Sequence, residues 1–224
     1  MKILLSLIIM LFNTASFSST EVEIHLSKML EKYKSFNSYK DKGTSLTKYV
    51  RTNGTIFNTE LTFTTKYNKN KSLHFQWLVL PDEFEKKIHA FEKNPNPLKP
   101  KVNTIWKNKA GIYSKYSFSR KNKEPNLSSA LSRATGVSGG LAWLVPRFLS
   151  SEIPCPVNLN ANKSKLLTSN PNTIIIKQHY SSGTIRKLHI DRKSYLLRKV
   201  EQNRKLSNGT TTYKVINYNV INTK

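Results

Sequence analysis

Apolar and polar residues alternate along residues 173–221. Leu188 and Ile190 occupy positions of one parity, while Lys187 and His189 occupy the other, and a period of two is typical of a half-covered β-strand. Gly and Asn tolerate positive φ, and Asp and Ser bond their own backbone, so such residues mark turns. Three turns are predicted, at Ser182-Gly183, Asp191–Ser194 and Asn208-Gly209. The segment therefore predicts a four-stranded antiparallel meander with one apolar face.

The same alternation predicts strands earlier in the chain. These strands are rich in Phe, Tyr, Trp, Leu and Thr, which fit a pleated and partly buried surface. Large aromatic side chains at the inward positions indicate a strongly curved sheet. The further strands are predicted at 44–51, 56–67, 73–79, 102–106, 112–119 and 165–168. With the meander, the chain is expected to have about eleven strands in the α+β class, mainly β.

Helices are predicted in two places. Apolar residues recur at helical spacing over 21–35, which predicts an amphipathic helix packed on the sheet. Asn126 is a suitable N-cap for a short helix over 127–134, and a second apolar piece follows over 141–149. Two interpretations of this pair stay open: ordinary core helices, or helices that plug the open side of a curved sheet. Residues 82–93 are predicted as a short helix or a loop.

The N-terminal segment changes the expected location of the protein. Lys2 precedes an apolar run over residues 3–12 and a short polar stretch, which is the pattern of a Sec signal peptide. The run is too short for a transmembrane helix. We therefore predict a removed signal over 1–19 and a single domain over 20–224. Cys155 is the only cysteine, so no internal disulfide and no N-terminal lipid anchor are expected.

The formal net charge of +24 allows two explanations. Codon-driven drift toward Lys and Asn is one, and a surface adapted to polyanions is the other. Lysines are spread along the chain, which disfavours a dedicated nucleic-acid site. No nucleic-acid partner is expected.

Catalytic and metal-binding patterns do not support an enzyme. The five histidines have no metal-ligand spacing, and no nucleophile elbow or phosphate-binding loop occurs. His189 and Asp191 share a strand face, but Asp191 suits the first position of a turn better than a catalytic dyad. No catalysis and no cofactor are expected.

Two stretches carry a resemblance to a known family. One is Ser128–Gly140 with Leu144-Val145-Pro146, and the other is Leu188–Asp191 continuing through Tyr195–Lys199. With the order of elements, they resemble the LolA-like superfamily, which includes the lipoprotein carrier LolA, the receptor LolB and the sensor RseB. Relatives commonly have Trp-Ile-Asp where this chain has His189, so only the Ile-Asp pair matches there.

The resemblance implies a periplasmic incomplete β-barrel of about eleven strands over a hydrophobic cavity, with helices as a lid. Lipid or lipoprotein acyl chains are the implied ligands, an inner-membrane transporter or outer-membrane receptor the implied partner, and a monomer the expected state. The candidate cavity residues are Phe63, Phe75, Trp77, Trp106 and Tyr116. The candidate lid residues are Leu141, Trp143, Leu144 and Phe148.

Three alternatives stay open at this stage. The same residues could form a closed core without a cavity. An RseB-like module that binds a regulatory partner protein is the second alternative. A polyanion-binding protein that uses the positive surface is the third, and its affinity would fall steeply with salt.

Overall fold

Eleven antiparallel strands form one continuous sheet that does not close on itself. The computed structural model describes residues 17–93, 95–117, 119–134, 141–150 and 164–224. Most of the predicted signal segment, Phe118 and Cys155 lie outside the described residues. The expected fold, a mainly β protein with one curved sheet of eleven strands over short helices, is confirmed.

Most strands lie close to the positions predicted from the sequence. In chain order they are β1 Ser38–Val50, β2 Ile56–Asn68, β3 Ser72–Val79, β4 Lys101–Asn108, β5 Gly111–Lys115, β6 Asn122–Glu124, β7 Ser164–Ser169, β8 Thr173–His179, β9 Ile185–Asp191, β10 Leu197–Lys205 and β11 Thr211–Thr223. The helices are α1 Phe17–Ser35, α2 Glu83–Phe91, α3 Leu127–Arg133 and α4 Leu144–Leu149. Strand β6 was not predicted, because its three residues Asn, Lys and Glu carry no strand pattern.

The sheet order places the two ends of the strand sequence side by side. The order is β6-β5-β4-β3-β2-β1-β11-β10-β9-β8-β7, so β1 pairs with β11 in the middle. A connection that contains α2 joins β3 to β4, while short turns join most other neighbours, and Gly183 and Gly209 adopt φ of 73° and 79° in two of these turns. Glycine suits these turns because it has no Cβ to clash at positive φ. Strands β6 and β7 are the two edges of the sheet.

One face of the sheet, here called the inner face, packs against α1, α3 and α4. The predicted apolar stripe of α1 is buried: Val22, Leu26, Met29 and Tyr33 are each 0% exposed. The Tyr33 hydroxyl oxygen accepts a hydrogen bond from the backbone N–H of Leu197 at 3.1 Å. The stripe was predicted from spacing alone, and the amphipathic helix is confirmed.

Gly43 on β1 makes room for an aromatic ring of the core. A Cβ at this position would lie 2.2 Å from Cζ of Phe63 and 2.4 Å from the carbonyl oxygen of Asn217. Such distances are far inside van der Waals contact. The Phe63 ring therefore crosses the inner face where a larger side chain on β1 would otherwise stand.

Candidate binding site on the inner face

Aromatic side chains from alternate positions of β2 and β3 line the centre of the inner face. Phe63, Phe75 and Trp77 are 1%, 1% and 3% exposed. Their rings form a chain, with centroids 6.1 Å apart for Phe63–Phe75 and 5.4 Å apart for Phe75–Trp77. The register pairs Phe63 with Trp77, and since directly paired residues lie on the same face of a sheet, both side chains lie on the inner face. Tyr116 packs edge-on against Trp77 at 5.9 Å.

Residues 127–133 and 141–149, here called the lid, cover these aromatic rings. The four predicted lid residues, Leu141, Trp143, Leu144 and Phe148, are at most 5% exposed. Phe148 packs on Tyr33 of α1 with ring centroids 5.4 Å apart. The Asn126 side chain accepts a hydrogen bond from the backbone N–H of Ser129 at 2.8 Å, which confirms the predicted cap of α3.

Trp106 was predicted to face the interior, and this prediction is wrong. Its neighbour Ile105 is paired with Phe75 and fully buried, so the alternation places Trp106 on the opposite face. There Trp106 stacks on Tyr113 with centroids 5.5 Å apart, and the Lys121 ammonium lies over both rings. Eight of the nine predicted site residues therefore belong to the inner core or pack against it.

Several buried polar atoms near the lid have no hydrogen-bond partner within the described structure. They include the indole nitrogens of Trp77 and Trp143. Buried donors without acceptors are uncommon and carry a desolvation cost. Close by, the Glu124 carboxylate is buried, accepts a hydrogen bond from the Ser114 hydroxyl and lies 3.3 Å from the Arg133 guanidinium.

A buried carboxyl lies on β1 beneath the contact between α1 and the lid. Asp41 is 0% exposed and accepts hydrogen bonds from the Tyr39 hydroxyl at 2.8 Å and from the backbone N–H of Thr65 at 3.0 Å. Burial raises the pKa of Asp41 to about 6, although these two hydrogen bonds favour the ionised form. Tyr39 in turn packs on Tyr33, the same ring that Phe148 of the lid contacts.

The inner face also has a polar part, which the sequence analysis missed. Strand register places six polar residues in one row across β7, β8, β9, β10, β11 and β1. This row, here called the polar belt, consists of Ser164, Gln178, Arg186, Gln202, Lys214 and Thr47. The sequence does contain a signal for this row, because side chains two positions apart on a strand lie on the same face. Arg186 is two positions from buried Leu188, and Lys214 is two positions from buried Ile216. The sequence analysis singled out neither cation.

The contacts of His189 and Asp191 have a simpler explanation than a catalytic dyad. Oδ1 of Asp191 accepts hydrogen bonds from the backbone N–H and the hydroxyl of Ser194, at 2.8 and 2.7 Å, which confirms its role in the turn. His189 Nε2 lies 3.6 Å from a carboxylate oxygen of Glu201. Among the described residues, no group of three or more His, Cys, Asp or Glu side chains is placed to hold a metal ion.

Comparison with known proteins gives structural likenesses alone, since no family model and no curated protein sequence matches the chain. The likenesses include a MucB chain from the Pseudomonas aeruginosa MucA/MucB complex, at 11% identity and TM-score 0.40, covering 91% of this chain and 58% of that one. They also include a Vibrio parahaemolyticus domain described as a putative outer membrane lipoprotein-sorting protein, at 7% identity and TM-score 0.37, covering 90% and 93%.

A Nitrosomonas europaea protein of the LolA superfamily matches at 10% identity and TM-score 0.31, covering 86% of this chain and 90% of that one. The chain resembles LolA-like proteins. The resemblance drawn from the sequence is thus found again among solved structures. The chain spans little more than half of MucB. At these TM-scores the likenesses carry no argument about ligand or partner, which depend on this chain's own residues. No described helix has the length and apolar character needed to cross a membrane.

Proposed function

We propose that this protein is a non-catalytic periplasmic carrier that binds lipid or lipoprotein acyl chains between the inner face and the lid. The main support for this proposal is the aromatic surface of Phe63, Phe75 and Trp77 beneath two short helices. An acyl chain suits such a surface, since each buried methylene contributes about 0.8 kcal/mol. The indole donors of Trp77 and Trp143 have no acceptor among the described residues, which favours a guest that also carries acceptor oxygens.

In the closed arrangement the lid fills the space that a guest would occupy, so loading requires the lid to move. Helices α3 and α4 have seven and six residues. Helices this short are marginal on their own, and their docking depends on side-chain packing. They can leave the inner face without breaking any strand pairing of the sheet. Cargo would then pass to or from a membrane-bound partner, such as an inner-membrane transporter or an outer-membrane receptor.

A hydrogen bond between the sheet and the lid gives a direct test. The Tyr218 hydroxyl on β11 donates to the carbonyl oxygen of Leu141 at 2.6 Å. Tyr218→Phe removes this bond and leaves the ring in place, which should weaken lid docking by about 1 kcal/mol. We expect uptake of a fluorescent fatty acid to become about five times faster. Tyr213→Phe is the matched control, because Tyr213 lies on the same strand but is exposed on the other face.

The ligand itself is tested by native mass spectrometry and organic extraction of the protein purified from its own envelope. A co-purifying acylated species is the expected result. Suppose instead that the protein carries no such species, and that neither the wild type nor the Tyr218→Phe variant binds the fluorescent fatty acid. That result would indicate a permanently closed core.

A further inference from the structure

We propose that the polar belt binds the anionic head group of an amphiphile whose acyl chain lies along the apolar part of the inner face. The inference rests on the proposed function and adds the chemical class of the ligand. A carboxylate or a phosphate would serve equally as the head group, because both offer charged acceptor oxygens to Lys and Arg.

The belt directly adjoins the apolar surface. In the next row of the register, Leu188, Val200 and Ile216 pair across β9, β10 and β11, and each is 0% exposed. Residues two positions apart on a strand are separated by roughly 7 Å. Lys214 and Ile216 therefore stand next to each other on the inner face, one cationic and the other apolar. A molecule with a charged end and an oily chain matches this order.

The two cations of the belt flank Gln202. The register pairs Gln202 with Arg186 on one side and with Lys214 on the other. Two strand spacings put the backbones of the two cationic residues roughly 10 Å apart. The Arg186 guanidinium is held in place by neutral acceptors, since it donates to Oε1 of Gln202 at 3.1 and 3.2 Å and to the Tyr180 hydroxyl at 2.8 Å.

Lys214 is the decisive residue, because it is 9% exposed and the structure gives its ammonium no hydrogen bond and no ion pair in the described residues. Burial, with a smaller effect of Arg204, lowers the pKa of Lys214 to about 8, so the ammonium is still mostly charged at pH 7. Most of the Lys214 side chain is buried, so its charge has lost part of its hydration, and an anionic ligand would compensate for that loss.

The acidic residue next to the belt in sequence lies on the other face of the sheet. Glu201 is adjacent to Gln202 in the chain, but it contacts Lys187, His189 and Lys199 on the outer face. The six belt residues include no acidic side chain. The belt thus presents two cations that have no acidic partner among the described residues, and an anionic head group would complement them.

The test uses three ligands with the same acyl chain: a long-chain fatty acid, the corresponding lysophosphatidic acid and the neutral monoacylglycerol. Affinities are measured by displacement of a fluorescent fatty acid in wild type, Lys214→Gln and Lys187→Gln. Lys187 is the matched control, since it neighbours Arg186 in the chain but pairs with Glu201 on the outer face. Lys214→Gln should weaken binding of the anionic ligands about tenfold and leave the monoacylglycerol unchanged.

The outcomes separate the two proposals. A loss of affinity for the anionic ligands in Lys214→Gln that is absent in Lys187→Gln supports the belt as the head-group site. The anionic ligand whose affinity falls more identifies the head group as a carboxylate or a phosphate. Equal effects on the charged and neutral ligands, or no effect on either, overturn the belt and leave acyl-chain binding standing. If wild type binds none of the three ligands, the proposed function fails and the inference fails with it. Thermal unfolding of each variant checks that the fold is retained.

Discussion

Two connections between strands contain helices with large apolar side chains, but one helix is buried and the other is exposed. In α4 the Phe148 ring is 2% exposed, whereas in α2 Phe84 and Phe91 are 70% and 88% exposed. Helix α2 has apolar residues at helical spacing, and α4 is apolar at five of its six positions. Helix α2 is also well formed, with a capping box between Asp82 and Glu85. The difference in burial therefore does not come from helix quality.

Sheet topology explains the contrast. Strands β3 and β4 are neighbours, so the connection that contains α2 only needs to turn at the end of a hairpin. Strands β6 and β7 are the two opposite edges, so the connection that contains α3 and α4 must cross the open side of the sheet. A helix on that path meets the inner face and buries its apolar side. The comparison teaches that pattern decides which side of a helix is apolar, while topology decides whether that side is covered.

The largest expected effect tests the covered helix. Phe148→Ser removes a buried ring that packs on Tyr33. Large-to-small changes at such aromatic positions typically cost about 3–5 kcal/mol, so the free energy of unfolding in urea should fall by that amount. A loss below about 1 kcal/mol would contradict the close packing of α4 on α1 and would break the contrast with α2.

A smaller effect is expected from pH. Protonation of Asp41, which is buried beneath α1 and the lid, should change the free energy of unfolding by about 2 kcal/mol. The folded-state pKa of Asp41 is raised to about 6, above its ordinary value of 3.8, so the folded protein takes up a proton more readily than the unfolded chain. This group therefore adds stability as pH falls from 7 toward 4, and the addition is lost again as pH rises through about 6.

Asp41→Asn should flatten that part of the stability curve. The measurement is the urea midpoint of both proteins between pH 4 and 7, taken as a difference so that other titrating groups cancel. Parallel curves would show that Asp41 is solvated. Such a result would mean that the region beneath α1 and the lid is less closed than its burial indicates.

The smallest expected effect tests the uncovered helix. Phe91→Ser on α2 should change the free energy of unfolding by less than about 0.5 kcal/mol, since the ring is 88% exposed. The same urea unfolding experiment as for Phe148→Ser gives a direct comparison. A loss above about 1 kcal/mol that grows with protein concentration would show that another copy of the chain covers this face.

Local pattern was enough to predict most of the fold. Parity placed Leu188, Ile190 and Ile216 on the buried face, and helical spacing placed Tyr33 in the core, because each signal depends only on backbone geometry. The eight inner site residues were predicted on the same grounds, together with the resemblance. Their role in ligand binding is still a prediction.

Trp106 and the polar belt could not be placed correctly by residue type. Val102 and Trp106 are apolar and lie on the same side of β4, so the sequence favours that side for the interior. Pairing of Ile105 with Phe75 instead places the other side of β4 on the inner face. Lys214 and Arg186 are cations in a chain rich in surface cations. Only their register with each other across β10 shows that they form one row, and register between distant strands is not a local property.

The central position of the β1–β11 pair has a consequence for the way this molecule folds. Register joins Tyr39 to Thr223, the ends of nearly the whole described chain, at the middle of the sheet. Contacts so far apart in sequence are entropically costly to form early, and proteins that depend on them fold slowly. Strands β2–β6 and β7–β10 can pair with their sequence neighbours early, but the two halves can join through the β1–β11 pair only once β11 is available. The sheet thus stays in two parts until its last strand is in place.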